Sequence, residues 1–355
     1  MFKEFCMKNT KNKCAKRRSI FTTQIRRICA IALVAVIGLS MTACNLLFDK
    51  WINDKDDGGG GSSTTFNNTD DFGEWLSKQP DNTPATAYTV KVNVNFLDST
   101  AFWFSLGGRL ISNNTKYVNL DLSGSQLTSI SFSAFNSCTS LTGITIPNSV
   151  TTIESSAFNG CTSLASITIP NNVTTIEGGA FSGCTSLTNL TIPDRVTSIG
   201  RNAFYSCTGL TSLTIGNGVT GIGYGAFYNC IGLTSLTIPN SVINIDGAWS
   251  AVGEKGAFES CTNLTSVTIG NSVTSIGSNA FYNCIGLTSV TIPNSVTSIA
   301  YHAFSECTSL TSVTFQGTIT ADIYYTFPGD LREKYLAGGI GTYTRSKGSD
   351  TWTKQ

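Results

Sequence analysis

Cysteine is the residue type of this 355-residue chain whose spacing most invites chemistry, because eight of its twelve copies recur almost regularly. Zinc sites need close pairs such as C-x₂-C with converging ligands, and no such pairs occur here. Side chains stacked in register point the same way, which also disfavours disulfides between neighbours. Each recurring cysteine stands three residues after a phenylalanine and three before a leucine. We therefore predict eight free, buried thiols that pack as small hydrophobic groups.

The other candidates for catalysis are His302 and two equivalent carboxylates, Glu154 and Glu177. His302 is the only histidine, and no nucleophile with a base partner lies near it in sequence, so we interpret it as a surface residue. Two carboxylates about 5 Å apart could serve as a glycosidase pair. Later repeats hold glycine or alanine at that site, so we interpret both as solvated charges. We predict no catalytic residue, no metal site, no cofactor and no enzymatic activity.

The charge distribution argues against a nucleic-acid-binding role. Of the 23 basic and 22 acidic residues, nine basic residues and one acidic residue lie within 1–43. The remaining 14 basic and 21 acidic residues give residues 44–355 a net charge of −7. Such an acidic body lacks the basic surface that binds phosphate backbones.

The first 43 residues have the pattern of a signal peptide. Basic residues up to Arg27 precede a 12-residue apolar run, 28–39, which is shorter than the roughly 20 residues that span a bilayer. The run is followed by Met41-Thr-Ala-Cys44, which resembles a bacterial lipobox except that Leu is preferred where Met41 stands. The resemblance implies lipidation of Cys44; ordinary cleavage and an uncleaved anchor are the alternatives. Translation could also start at Met7.

A flexible tether is predicted over 44–65, because its Gly58–Gly61 and Ser/Thr residues cannot bury apolar surface. An N-terminal cap over 66–116, a solenoid over 117–316 and a C-terminal cap over 317–355 complete the expected organisation.

The recurring cysteines mark a repeat whose period predicts a stacked solenoid. Their steps are 23, 23, 23, 23, 31, 23 and 23 residues, and each unit reads A-F-x-x-C-x-x-L-x-x-(I/L/V)-T-(I/F) followed later by V-x-x-I. The final alternation predicts a short parallel strand whose two apolar residues point inward and whose threonine points outward. One unit cannot bury its own apolar residues, so neighbouring units must share a core. The cysteines lie at positions 138, 161, 184, 207, 230, 261, 284 and 307.

The pattern resembles the leucine-rich repeats of bacterial BspA-like surface proteins, especially the Treponema type. The matching units include Ser272-Val-Thr-Ser-Ile-Gly-Ser-Asn-Ala-Phe-Tyr-Asn-Cys-Ile-Gly-Leu-Thr-Ser-Val-Thr-Ile-Pro293. The resemblance covers about 117–316 and implies a secreted or surface protein used in adhesion and protein–protein contact, without enzymatic activity.

Both ends are predicted to be capped. Tyr88, Val90, Val92, Val94 and Phe96 alternate with polar residues, so they predict a strand that covers the first open edge. At the other end, Asp330 and Glu333 form a capping-box-like start to a helix through Leu336, stopped by Gly338 and Gly339. Residues 342–345 and 350–353 are candidates for a last strand pair.

Tyrosines interrupt the repeat at two positions that otherwise vary, which predicts that they are exposed. They could form a protein-binding surface, since tyrosine is enriched in interfaces, or solvent-facing stacks that stiffen the solenoid. The tyrosines that stand two residues before the cysteine are Tyr205, Tyr228 and Tyr282. The tyrosines that stand six residues before it are Tyr224 and Tyr301.

An insertion within 246–255 accounts for the single 31-residue step, and insertions in repeats form loops that often lie on a binding face. Its Trp249 would either pack back onto the solenoid or present an anchor for a ligand.

Together these features predict a lipid-anchored solenoid at the outer membrane or cell surface that binds host matrix or neighbouring-cell proteins. An architectural protein that self-associates and a carbohydrate-binding module are the alternatives.

Overall fold

A computed structural model describes residues 64–93, 100–245, 255–320 and 323–355. The predicted signal peptide, Cys44, almost all of the tether and the Trp249 loop lie outside these residues. Within them, no helix is both long enough and apolar enough to cross a membrane.

The N-terminal cap combines parallel strands with two helices. Asn68 begins the first helix by accepting a hydrogen bond from the Asp71 amide at 2.8 Å, and the second helix buries Trp103 against Phe135. Gly107 of that helix runs so close to the Ala134 carbonyl that a Cβ would not fit. In order, the elements are β1 (Thr64–Phe66), α1 (Thr69–Lys78), a 3₁₀ turn (Pro84–Thr86), β2 (Tyr88–Val92), α2 (Thr100–Ser112) and β3 (Val118–Asp121).

The predicted N-terminal strand is present as β2, but it is not the outermost strand. It pairs in parallel with β3 on one side and with β1 on the other. Because β1 begins at Thr64, the folded region starts two residues before the boundary predicted for the tether. Val94 and Phe96 lie outside the described residues.

Each repeat then forms one turn of a solenoid and contributes two short parallel strands, of which the alternation predicts the first. The second strand comes from the V-x-x-I segment and pairs isoleucine with isoleucine along its whole sheet. The strands of the first series are β5 (Leu141–Thr145), β7 (Ser166–Thr168), β9 (Asn189–Ile192), β11 (Ser212–Ile215), β13 (Ser235–Thr237), β15 (Ser266–Thr268), β17 (Ser289–Ile292) and β19 (Ser312–Phe315). Those of the second are β4 (Ser129–Ile130), β6 (Thr152–Ile153), β8 (Thr175–Ile176), β10 (Ser198–Ile199), β12 (Gly221–Ile222), β14 (Asn244–Ile245), β16 (Ser275–Ile276) and β18 (Ser298–Ile299).

The core consists of identical side chains stacked turn upon turn. The repeat phenylalanines are fully buried, and successive rings from Phe135 to Phe304 stack with centroids 5.1–5.4 Å apart. This spacing follows from the roughly 4.8 Å separation of paired strands. Phe327, 23 residues after Phe304, extends the stack by one turn beyond the last repeat cysteine, with centroids 5.1 Å apart.

Two residues in almost every turn adopt the left-handed backbone conformation. The first stands five residues before the cysteine, and the second stands immediately before it. Ser, Gly and Asn fill these positions in most turns, whereas the last turns carry His302, Glu306 and Tyr325 with φ of 60°, 60° and 50°. Asn and Gly adopt this conformation at low cost, but bulky side chains do so rarely.

The C-terminal cap contains α3 (Leu331–Gly338), β20 (Gly341–Thr344) and β21 (Thr353–Lys354). Strand β20 pairs antiparallel with β19 and with β21, which ends the parallel sheet. The helix is present, but the predicted capping box is wrong, because Asp330 makes no side-chain cap. Its carboxylate accepts the Trp352 amide at 2.7 Å instead, which joins the helix to the last strand pair.

Candidate functional site

The predicted tyrosines lie on one strip of the solenoid, which we call the turn edge. It comprises the residues from seven to one before each repeat cysteine, together with the equivalent residues 323–329. Backbone hydrogen bonds join the turn edges of neighbouring turns, such as the Ser206 amide to the Tyr228 carbonyl at 2.8 Å and the Asn202 amide to the Tyr224 carbonyl at 2.8 Å. These bonds hold the tyrosines in register.

The tyrosines are less exposed than the sequence suggests. Tyr301 is 52% exposed, whereas the other four are half-buried. The difference arises because side chains of adjacent turns cover one another's faces, which a repeat pattern alone does not reveal. The half-buried ones are Tyr205, Tyr224, Tyr228 and Tyr282.

Tyr205 and Tyr228 form a stacked pair with ring centroids 4.6 Å apart. The ammonium of Lys255 lies 5.1 Å from the Tyr228 ring centroid and 3.0 Å from the carboxylate of Glu259. Glu259 is buried, and its second oxygen accepts the Gly256 amide at 2.9 Å. The hydrogen bond to Glu259 raises the pKa of Lys255, and burial, followed by the neighbouring Tyr228, raises the pKa of Tyr205. The residue that ends the insertion is therefore fixed to the stacked pair.

A second aromatic group lies at the C-terminal end of the turn edge. The Tyr301 ring contacts the His302 ring with centroids 3.9 Å apart and the Tyr325 ring at 5.5 Å, edge to face in both cases. Tyr282 contacts the same imidazole at 5.9 Å. We call Tyr282, Tyr301, His302 and Tyr325 the terminal aromatic patch.

Hydrogen bonds fix the imidazole within this patch. His302 Nδ1 lies 3.0 Å from the Ser305 hydroxyl, which in turn donates to the Tyr325 carbonyl. Beside the patch, Tyr324 is 53% exposed and carries the guanidinium of Arg332 at 4.2 Å from its ring centroid.

Sequence reasoning placed Tyr282 and Tyr301 in the candidate site but missed Tyr324, Tyr325 and the part played by His302. The signal was available in the period, because Phe327 lies 23 residues after Phe304. That spacing puts Tyr324 and Tyr325 at the positions of Tyr301 and His302 in one further turn.

The structure brings four of the predicted site residues together in two groups. Tyr205 and Tyr228 belong to one, Tyr282 and Tyr301 to the other, and the buried Glu259 occupies the equivalent position in the turn between them. Trp249 and the lipidation site Cys44 lie outside the described residues.

The two carboxylates interpreted as solvated charges have structural partners. Glu154 accepts hydrogen bonds from the Ser129 hydroxyl at 2.7 Å and the Phe132 amide at 2.9 Å. Glu177 accepts both the amide and the hydroxyl of Ser155, at 2.9 and 2.8 Å. Each carboxylate therefore binds the preceding turn, and the interpretation as free rim charges is wrong.

The eight repeat cysteines are free and buried, which confirms the prediction. Each thiol after the first donates to the carbonyl of the phenylalanine in the preceding turn, at 3.1–3.3 Å. Burial raises the pKa of Cys138, Cys207, Cys261 and Cys307 to about 12 and that of the others well above the ordinary value. These thiols are therefore protonated and unreactive at neutral pH. Among the described residues, no group of three or more His, Cys, Asp or Glu is placed to hold a metal ion.

Comparisons with known proteins agree with this architecture. A family described as BspA type leucine rich repeat region matches residues 128–249 and 253–331 in six copies, together more than half of the chain. No curated protein matches the sequence.

Several solved structures are similar to the chain. A T. pallidum leucine-rich repeat protein is 28% identical, over 63% of this chain and 84% of its own, with a TM-score of 0.43. A leucine-rich cell surface protein from Faecalibacterium prausnitzii is 24% identical, over 71% and 81%, with a TM-score of 0.34. A leucine-rich repeat protein from Bacteroides ovatus is 22% identical, over 56% and 73%, with a TM-score of 0.33.

Proposed function

Because the chain belongs to the BspA-type leucine-rich repeat family, we propose that it is a non-enzymatic adhesion protein that binds host matrix or neighbouring-cell proteins. In this proposal the signal peptide 1–43 directs export, a lipid on Cys44 anchors the chain to the outer membrane or cell surface, and the tether 44–65 separates the solenoid from the lipid. Leucine-rich repeat solenoids are typically binding scaffolds rather than catalysts.

The observation that carries the proposal is the contrast between a constant core and a variable turn edge. Core residues such as Phe204 and Phe227 repeat without change, while the turn edge beside them changes from Ser and Gly to tyrosine. Residues that vary on a rigid, hydrogen-bonded frame are placed to meet a partner. Tyrosine suits that role because it offers a large contact area and loses little conformational entropy on binding.

An enzymatic role has less support. The only paired carboxylates that the repeat suggested, Glu154 and Glu177, are occupied by hydroxyl and amide donors of the preceding turns. A glycosidase needs one of its carboxyl groups to protonate the leaving group and the other to attack or to activate water. Carboxylates engaged in this way serve the fold.

Self-association through the ends of the solenoid is also disfavoured. The outermost strands β1 and β21 are three and two residues long, and short edge strands are a common protection against pairing with another chain. The last repeat strand, β19, is covered by the antiparallel β20.

The function is tested with the full chain in detergent, against a panel of purified extracellular-matrix and bacterial surface proteins. We expect a monomer by light scattering and saturable binding to at least one panel protein by surface plasmon resonance. Self-association together with no binding to any panel protein would favour the architectural alternative instead.

The anchor is tested separately by Cys44→Ser. The protein should be released in soluble form or remain as an unprocessed precursor, and it should leave the detergent phase on partitioning. The matched control is Cys29→Ser, which alters a cysteine of the signal peptide and should partition as the unaltered protein does. Partitioning that Cys44→Ser leaves unchanged would contradict lipidation.

A further inference from the structure

Tyrosine and tryptophan rings of this protein repeatedly bind cations of the chain itself. Lys255 lies over Tyr228 and Arg332 over Tyr324, with the cation 5.1 and 4.2 Å from the ring centroid. In the C-terminal cap, Arg345 and Lys354 lie 5.0 and 6.0 Å from the Trp352 and Tyr343 centroids. The negative face of the aromatic ring attracts the cation in each case.

Among the described residues three tyrosines are exposed, and Tyr301 and Tyr325 differ from the third, Tyr324, which carries Arg332. They are 52% and 67% exposed, and their rings meet edge to face at 70°. In the part of the chain that the structure describes, no cation lies over either ring. Glu306, which is exposed in the same turn, also lacks an ion-pair partner among the described residues. Two exposed rings and an exposed carboxylate are thus displayed at one end of the turn edge.

The backbone indicates that His302 and Tyr325 are not there for stability. His302 and Tyr325 occupy the left-handed position that Asn202, Gly225 and Asn279 fill in earlier turns. A bulky residue is unfavourable there, whereas Asn or Gly is tolerated. Unfavourable backbone conformations of this kind concentrate at functional sites. The turn before shows that the fold itself needs only asparagine.

We propose that the terminal aromatic patch binds an arginine- or lysine-bearing segment of a protein partner, with the cationic side chain seated against Tyr301 and Tyr325. The proposal rests on the protein-binding function proposed above and names the chemistry of the partner. The net charge of −7 on residues 44–355 favours a basic partner over an acidic one. Arginine fits best, because its planar guanidinium both stacks on aromatic rings and pairs with a carboxylate.

The probe is a short oligoarginine peptide, compared with the oligocitrulline peptide of the same length, which keeps the planar shape but lacks the charge. Binding to the full chain is measured by calorimetry at physiological ionic strength. We expect oligoarginine to bind and oligocitrulline to bind at least about tenfold more weakly. Equal affinity for the two peptides would overturn recognition of a cation.

The site is tested with the triple variant Tyr301→Ser, His302→Asn and Tyr325→Asn, which copies Ser278 and Asn279 of the preceding turn. An exposed cation–π contact corresponds to about two- to fivefold in affinity, so the variant should lose about tenfold. Its melting temperature should be equal or higher, because asparagine relieves the left-handed positions. The variant removes no carboxylate, so nonspecific attraction to the acidic body remains. Unchanged peptide affinity would place the site elsewhere and overturn the proposal.

Two single variants serve as matched controls. Tyr301→Phe keeps the ring face and should bind oligoarginine as well as the unaltered protein, whereas loss of binding would assign the contact to the hydroxyl and contradict the proposal. Phe104→Ser removes an exposed aromatic ring of helix α2 in the N-terminal cap and should also leave affinity unchanged.

The panel experiment separates this proposal from the general function. A panel protein that binds the triple variant as tightly as the unaltered chain, and that oligoarginine does not displace, would keep the adhesion function and overturn the patch. Peptide binding through the patch without any panel partner would keep the patch and count against the function.

Discussion

The N-terminal and C-terminal halves of the turn edge carry different side chains over the same core. In the turns of Cys161 and Cys184, Glu154 and Glu177 bind the preceding turn, and Ser or Gly fills the left-handed positions. From Tyr205 onward, aromatic rings stack on one another or on cations. The core beneath both halves is the same stack of phenylalanines and thiols. The difference teaches that the core specifies the solenoid, while the turn edge is free to change.

The largest effect should come from ionising the core thiols. Burial raises the pKa of Cys207 to about 12, whereas an unfolded thiol titrates near 8.5. The folded state therefore holds protons that the unfolded state releases, and this stabilisation is complete below about pH 8.5 and lost as pH rises towards 12. In that pH window each buried thiol lowers the free energy of unfolding by about 1 kcal/mol per pH unit. We expect alkaline unfolding by circular dichroism that begins above about pH 9.

The paired variant Cys207→Ala and Cys230→Ala removes two of these titrating groups. As the pH rises from 7 into the alkaline range, the free energy of unfolding should fall less steeply in this variant than in the unaltered protein. An equally steep fall in both proteins would mean that the thiols do not limit stability at alkaline pH.

The next effect contrasts core and turn edge at adjacent residues. Phe227→Ala empties a fully buried site between Phe204 and Phe258, whose centroids lie 5.1 and 5.2 Å away. We expect a loss of about 3–5 kcal/mol in the free energy of unfolding, measured with urea. Tyr228→Ala, one residue later, should cost less than about 1 kcal/mol. Similar losses for the two variants would contradict the view that the core stabilises the solenoid and the turn edge does not.

A smaller effect tests the N-terminal half of the turn edge. Glu177→Ala leaves the Ser155 amide and hydroxyl without their acceptor, which should cost about 1 kcal/mol because the site is half-buried. Glu177→Gln keeps an acceptor oxygen and should cost less. The exposed Glu333→Gln is the control and should change thermal stability hardly at all. A Glu177→Ala protein as stable as the unaltered chain would restore the free-charge interpretation.

In the C-terminal half of the turn edge, a substitution should raise stability or leave it unchanged, where Glu177→Ala lowers it. Tyr325→Asn replaces a bulky residue at φ 50° by one suited to that conformation, so stability should be unchanged or raised by up to about 1 kcal/mol. Differential scanning calorimetry measures the change. A clear loss would show that Tyr325 serves the fold, as Glu177 does.

The smallest effect is expected on the outward threonines. Thr237 is exposed on β13, and Thr237→Ala should alter the free energy of unfolding by less than about 0.5 kcal/mol and leave partner binding intact. Loss of partner binding in this variant, with binding retained in Tyr228→Ala and Trp249→Ala, would move the binding site from the turn edge to the sheet.

Most of the solenoid could be predicted from the sequence because its period places equivalent residues in equivalent surroundings. The burial of the Cys207 and Phe227 side chains follows from their spacing in the repeat alone. Helix α2 was not predicted, because its Ala-Phe-Trp-Phe run lacks the helical alternation of apolar and polar residues. The contacts of Asp330 depend on Trp352, a residue 22 positions away, and no local motif encodes such a pairing.

The candidate site was predictable only in outline. Variation within the repeat pointed to Tyr228 and Tyr301, but their contacts depend on side-chain rotamers and on neighbours from other turns. Lys255 stands six residues before Cys261, so the period places it on the turn edge, but its contact with the Tyr228 ring depends on the side-chain rotamer. Sequence spacing therefore located the turn edge without revealing how its residues group.

The in-register pairing of successive turns also determines how the molecule would respond to mechanical load. Each turn is bonded to its two neighbours through short parallel strands such as β8, β10 and β12. A solenoid pulled from its two ends should therefore peel away one turn at a time. Each 23-residue turn would release a length of about 80 Å of extended chain. A solenoid built in this way can lengthen under load and absorb part of the pull.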